Sequence, residues 1–165
     1  ESLKDHHKMD YISLMPTNLY GPFDNFNLET SHVLPAMIRR FHDAKIKKKS
    51  SVTLWGDGKP KREFLHVNDL SEAIFFSLNN KLEDHIYNIG SGVEISIKNL
   101  AELIKKIVEY DGKIIWDESK PNGTPRKLLD SSKFKNLGWK QKIDLKSGII
   151  NTYTWFLNNN KNIKE

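Results

Sequence analysis

The chain has 165 residues, no cysteine, a formal net charge of +5 and an isoelectric point near 9.2. That length supports one domain with a real core. The missing cysteines exclude a disulfide framework or a thiolate metal site, and no apolar run approaches the ~20 residues that span a bilayer. The positive charge points to acidic partners, nucleic acid first and a phosphorylated small molecule second. With no cysteine and no signal peptide to read, a reducing, cytoplasmic setting is expected. Glu1 rather than Met stands first, as in a processed or truncated piece.

Residues 1–10 are polar and read as helical or frayed; His6-His7 is not expected to hold a metal. Tyr11 to Met15 is a short apolar run before Pro16, expected as a buried strand. The run Pro16-Thr-Asn-Leu-Tyr-Gly-Pro22 marks that strand's end, and in open α/β sheets ligands sit at the carboxyl ends of strands. Phe23 to Thr30, rich in Asn and aromatics, is a loop long enough to be functional. A helix is expected from near Ser31, with Val33, Met37, Ile38 and Phe41 on its buried face and Pro35 in its first turn. His32 falls at its start, where the dipole disfavours the charged imidazole, and Arg40 two turns later. His32 has two readings here: a cap or surface residue, or an acid/base.

Lys45 to Lys49 reads as a solvated connection. Val52 to Trp55 alternates as a strand does. Gly56-Asp57-Gly58 must turn, and Arg62 to Val67 is extended again, so a hairpin is expected. Asn68 reads as the cap of a helix ending near Asn79-Asn80. The turn carries Lys59, Lys61 and Arg62, which form either an anion-facing rim or a set of solvated charges.

His85 to Ile89 is another short strand, ended by Gly90-Ser91-Gly92, which is not a full dinucleotide fingerprint. Ser96 caps an amphipathic helix whose stripe of Ile97, Leu100, Ala101, Ile104, Ile107 and Val108 is core. Lys113 to Trp116 is a strand. Asp117 to Asp130 has turn chemistry without periodicity, and projects Arg126 and Lys127 from a constrained loop. That suits a phosphate or diphosphate, Arg by its fork and Lys as a point charge, unless these are stray surface charges. Ser131 to Leu137 is a short helix closed by Gly138, and Leu145 to Leu157 a last amphipathic helix through Ile149, Tyr153 and Phe156. A polar tail follows from Asn158.

Several of these segments together resemble the fucose synthase branch of the extended short-chain dehydrogenase/reductase (NAD-dependent epimerase/dehydratase) superfamily. They are 15–22, Ser31-His32-Val33, Arg39-Arg40-Phe41-His42, 62–67 with Asp69, 88–92, 123–130 and Leu137-Gly-Trp139, in family order across nearly the whole chain. The resemblance implies an α/β fold: late strands and helices of a Rossmann-type doubly wound domain (about 10–20 and 68–90) plus the smaller substrate-binding domain (about 23–67 and 93–160). It covers only the carboxyl-terminal half of such an enzyme. No Gly-x-x-Gly-x-x-Gly loop and no Tyr-x-x-x-Lys pair occur in this sequence, so an inactive fragment is expected.

The family resemblance further implies a parent enzyme that epimerises GDP-4-keto-6-deoxy-D-mannose at carbons 3 and 5, then reduces its ketone with NADPH to give GDP-L-fucose. Another nucleotide-sugar epimerase/dehydratase, or a binding module without catalysis, is the alternative. By the same resemblance His32 matches the epimerisation acid/base, Pro16, Thr17, Asn18 and Leu19 line the nicotinamide together with His32, and Arg40, Trp55, Arg62, Lys113 and Lys127 contact the GDP-sugar. The resemblance also implies NADP(H) as the cofactor and a homodimeric full enzyme, with neither nucleic acid nor membrane as a partner.

Overall fold

The computed structural model describes residues 2–159. After a short helix, α1 (Ser2–His7), the chain enters β1 (Ser13–Pro16) and then β2 (Asn18–Tyr20). Pro16 therefore ends one strand but not the extended run. At Thr17 the chain changes sheets: its N–H donates to Ile89 O (3.0 Å), while Asn18 Nδ2 donates to Glu63 O (2.7 Å). β1 pairs in parallel with β5 (Ile86–Ile89), Ser13 opposite Ile86. β2 pairs in parallel with β4 (Lys61–His66), Asn18 opposite Phe64.

The expected hairpin does not form. β3 (Ser51–Trp55) lies parallel to β7 (Lys113–Asp117), while β4 carries β2, the antiparallel β6 (Glu94–Ser96) and, at Lys61 and Arg62, the two-residue β8 (Arg126–Lys127). Gly56 and Gly58 do take positive φ (+78° and +73°), but the turn sends β4 into a different sheet. Burial explains the outcome. β3 alternates between buried and open, as a strand with one solvated face does, whereas the last four residues of β4 are buried. β6 and β8 are too short for a sequence period to reveal.

Four longer helices cover these sheets: α2 (Val33–Ile46), α3 (Val67–Asn79), α4 (Ile97–Val108) and α6 (Leu145–Asn159). A one-turn α5 (Ser132–Asn136) sits beside β5. Ser96 caps α4 as expected, accepting from Asn99 N–H at 3.1 Å. Asn68 does not cap α3; His66 does, its Nδ1 accepting from Asn68 N–H at 3.2 Å. The imidazole reaches the free amide from the strand end, a cap that residue preferences do not foresee. α6 takes in Asn158 and Asn159; the rest of the expected polar tail, 160–165, lies outside the described residues.

β4 also divides the interior. Phe64 joins a core built from α2, α4, α6, β3 and Tyr20, with Ile38, Phe41, Leu100, Ile104 and Ile149 fully buried. Leu65, facing the other way, joins a second core of Ala73, Tyr87, Ile89, Phe134 and Trp139. The rings there meet edge-on or tilted, Phe134 lying 5.6 Å from Tyr87 and 5.5 Å from Trp139.

Candidate functional site

A cleft of about 900 Å³ opens where β1, β2 and the N-terminus of α2 meet the 126–129 arm. Its floor is the 16–20 segment. Thr17 and Asn18 spend their polar groups on the backbone: Thr17 Oγ1 and Asn18 Nδ2 both donate to Glu63 O, at 3.4 and 2.7 Å. That leaves Pro16 and Leu19 to give the cleft an apolar wall. Tyr20 closes the inner end; burial pushes its phenol well above the usual range, so the hydroxyl stays protonated.

His32 enters from the start of α2. Its backbone is extended (φ −71°, ψ 167°) in the N-cap position, yet its side chain makes no capping bond. The imidazole is exposed and lines the cleft instead. Beside it lies Asp24, which sequence reasoning passed over because the Phe23–Thr30 loop has no period. Asp24 Oδ1 accepts from Asn25 N–H at 2.7 Å, while Oδ2 is buried without a hydrogen-bond partner among the described residues. Burial pushes this carboxyl up, against the pull of the Asn25 amide and of His32. An acidic side chain just after the Gly-Pro that ends β2's extension was the available signal.

The opposite wall is basic. Lys127 and Arg126 line the cleft on β8, held to β4 by the ladder that sets Arg126 opposite Lys61 and Lys127 opposite Arg62. Arg126 is engaged: its Nε donates to Glu94 Oε2 at 2.6 Å, and Lys61 Nζ reaches Glu94 Oε1 at 3.0 Å. These two cations hold the Glu94 carboxyl below the usual range. Lys127 is exposed and makes no ion pair among the described residues.

Of the residues expected to act, the fold brings Pro16, Thr17, Asn18, Leu19, His32 and Lys127 into one cleft. Arg62 lies next along the ladder, its guanidinium bonded to Lys61 O at 2.7 Å. Trp55 is one loop away. Its ring is largely exposed and lies 5.8 Å from Lys120 Nζ, and Asn122 Oδ1 accepts Asp57 N–H at 2.8 Å, so the 117–127 loop joins Trp55 to the basic wall. Arg40 and Lys113 stand apart. Arg40 borders a separate depression with Lys47 and Thr53. Lys113 faces Ser51 at the far end of the strand pair from Trp55, four residues or roughly 13 Å away. Among the described residues no cluster of metal-ligating side chains forms, and no helix is long and apolar enough to cross a membrane.

Known proteins resemble this chain in sequence and in fold. The chain is 53% identical over 159 residues to GDP-L-fucose synthase 1 of Arabidopsis thaliana, matching 96% of the chain and 49% of that relative. It is 46% identical over 169 residues to GDP-L-fucose synthase of Escherichia coli strain K12, matching 96% of the chain and 52% of that relative. The fold superposes with a TM-score of 0.90 and 28% identity on a GDP-L-fucose synthetase from Naegleria fowleri bound to NADP, covering 99% of this chain and 52% of that one. The chain thus spans about half the length of the curated relatives it matches. The profile of one family, described as the NAD dependent epimerase/dehydratase family, matches residues 1–90, more than half of the sequence. The chain belongs to the NAD dependent epimerase/dehydratase family.

Proposed function

We propose that this chain forms the nucleotide-sugar side of a GDP-L-fucose synthase-like enzyme. That enzyme epimerises GDP-4-keto-6-deoxy-D-mannose at the carbons flanking its ketone and reduces the ketone with NADPH. One observation carries the reading: the 16–24 segment and His32 on one side, and the 126–129 arm far along the sequence on the other, converge on a single cleft with an imidazole on one wall and, on the other, a cation without an ion pair among the described residues. A hydrogen alpha to a ketone is acidic enough for a positioned imidazole near neutral pH. His32 is the acid/base on its own wall, exchanging a proton at one face of the carbon, and the group that exchanges the other proton at the opposite face belongs to the remainder of the enzyme. Asp24 gives the imidazolium formed in that step an acidic neighbour. Lys127 and Arg62 hold the diphosphate, Trp55 flanks the nucleotide end, and Arg40 and Lys113 serve the outer nucleotide if the 40–53 and 113–117 surfaces close over it.

The residues present suit one end of NADP(H). The hydrogen bonds that consume Thr17 and Asn18 fix an apolar wall of Pro16 and Leu19, against which a nicotinamide face fits. When bound, the nicotinamide supplies the hydride for the ketone; its phosphates need a glycine loop that this sequence does not contain. We assign 10–20 and 68–90 to the nucleotide-binding domain of the whole enzyme and 23–67 and 93–160 to the substrate domain. The parallel pair β1–β5 exposes Met15 and Ile86, and α3 exposes Phe75 and Leu78; a doubly wound sheet covers such surfaces. A cytoplasmic homodimer is part of the same reading, with nucleic acid no partner.

Calorimetric titration of the 165-residue chain with GDP and with UDP tests the proposal. GDP is expected to bind and UDP to bind at least tenfold more weakly, a difference of about 1.4 kcal/mol. Equal affinities would favour an epimerase of another nucleotide sugar. Binding of single-stranded oligonucleotides that falls steeply with salt, without base preference, would favour a nucleic-acid module.

A further inference from the structure

Glu63 is the most completely buried charged side chain of the site region, with none of its surface exposed. It lies on β4 between Arg62, next to the cleft, and Phe64, in the larger core. A buried carboxylate is costly unless its oxygens are satisfied, and no cation among the described residues pairs with this one. Its partners are donors from two loops. Oε1 accepts Gly92 N–H at 2.6 Å and Ser91 Oγ at 3.3 Å; Oε2 accepts Leu129 N–H at 3.0 Å. The Gly90 backbone packs against the same carboxylate, where an added Cβ would fall 2.4 Å from Oε1.

The bond to Leu129 sits on the arm that carries the basic wall. That arm is held as far as Lys127 by the ladder to β4, where Lys61 N–H donates to Pro125 O at 2.8 Å and Lys127 stands opposite Arg62. It is fixed after Leu129 by Asn88 Nδ2, which donates to Asp130 O at 3.1 Å. Between those anchors Leu128 and Leu129 line the cleft, and the Glu63 carboxylate accepts the Leu129 backbone N–H there. We propose that Glu63 is a positioning residue for the nucleotide diphosphate: it fixes the 127–129 arm so that Lys127 meets the ligand, and ties that arm to the Gly90-Ser91-Gly92 turn. The inference rests on the GDP reading above, and it assigns this task to a residue that touches no ligand.

Glu63→Gln tests it with little change of shape. Whichever way the amide turns, its NH2 faces an N–H donor, of Gly92 on one side or Leu129 on the other, so one loop is released. Three measurements are made on the whole chain. Amide hydrogen exchange is expected to quicken at Leu129 or Gly92 while Ile104 and Ile149 in the larger core keep their protection. GDP affinity should fall by about tenfold or more, the loss of one charge-assisted contact, while guanosine, which lacks the diphosphate, keeps its affinity. In a Lys127→Ala background the same substitution should add little, because the two act as a unit.

Unchanged exchange at both amides overturns the inference whatever the ligand results. Equal losses for GDP and guanosine, or additive effects with Lys127→Ala, overturn it in favour of a purely structural Glu63. Failure of the unmodified chain to bind GDP counts against the functional reading and thereby against the diphosphate role, whereas the exchange data still report whether Glu63 holds the arm. If Glu63→Gln does not fold, an amide-to-ester replacement at Leu129, which removes only the N–H, carries the same expectations.

Discussion

Replacing His32 with Asn separates chemistry from packing at the start of α2. The imidazole is exposed, makes no capping bond and leaves the first-turn amides of α2 without a side-chain acceptor. Asn is a good N-cap whose side-chain oxygen reaches the N2 or N3 amide. His32→Asn should therefore leave stability unchanged or raise it by up to about 1 kcal/mol, the worth of a cap. For a chain of this size that corresponds to a melting temperature higher by roughly 2–4 °C. Acid–base catalysis should move the other way. Asn cannot exchange a proton near neutral pH, and loss of a positioned general acid or base costs about 10²–10⁴-fold. The assay is solvent deuterium incorporation beside the ketone of the GDP-keto-sugar. It is catalysed by the chain joined behind the amino-terminal half of its 53%-identical Arabidopsis thaliana relative, with a melting curve on each variant. Normal incorporation in a folded His32→Asn protein would refute the catalytic assignment. A lower melting temperature would refute the reading of an uncapped helix start.

Arg62→Ala should weaken GDP binding by roughly 1.5–3 kcal/mol, the range for hydrogen bonds to charged groups, with NADPH affinity in the same fusion barely changed; equal loss of both would make Arg62 a support of β4. Acidification should destabilise the fold, because burial holds His42 and His66 below the ordinary imidazole value of about 6.5. Between that value and the lower folded one the unfolded chain binds more protons, so stability falls as the pH drops through that window. His42→Phe, which cannot titrate and keeps an aromatic ring beside Tyr153 and Phe156, should flatten the urea-midpoint profile from pH 7 to 5. Gly148→Ala should cost about 1–3 kcal/mol through overpacking, since the new Cβ would lie 2.1 Å from Tyr20 Oη; an unchanged urea midpoint would mean that α6 shifts freely away from β2.

The helices were legible because their signal is periodic. The stripe on α4 returns as Leu100, Ala101, Ile104 and Val108 in the core, and Ser96 caps where its residue type says it should. The site was legible in pieces: Lys127 stood out as a cation in a loop of turn residues, and His32 as a helix-start imidazole. What sequence spacing could not supply was pairing. β3 and β4 are joined by a turn that allows a hairpin, and the choice of other partners depends on which faces the helices cover, a property of the assembled fold. The same holds for Asp24 and Glu63, whose partners in the site, His32 and Leu129, lie eight and 66 positions away.

β4 shows why chemistry and folding are hard to separate in this chain. Five of its six residues are committed to different neighbours: Arg62 beside the basic wall, Glu63 to two loops, Phe64 and Leu65 to separate cores, and His66 to the cap of α3. A strand used this way cannot shift register by one residue without exchanging the two cores and turning Glu63 away from Leu129. The register that packs the interior is therefore the register that aligns Lys127 with Arg62. Positioning of the cationic wall comes with the fold itself, and only the last adjustment, the bond to Leu129, is left to a single polar side chain that can be changed on its own.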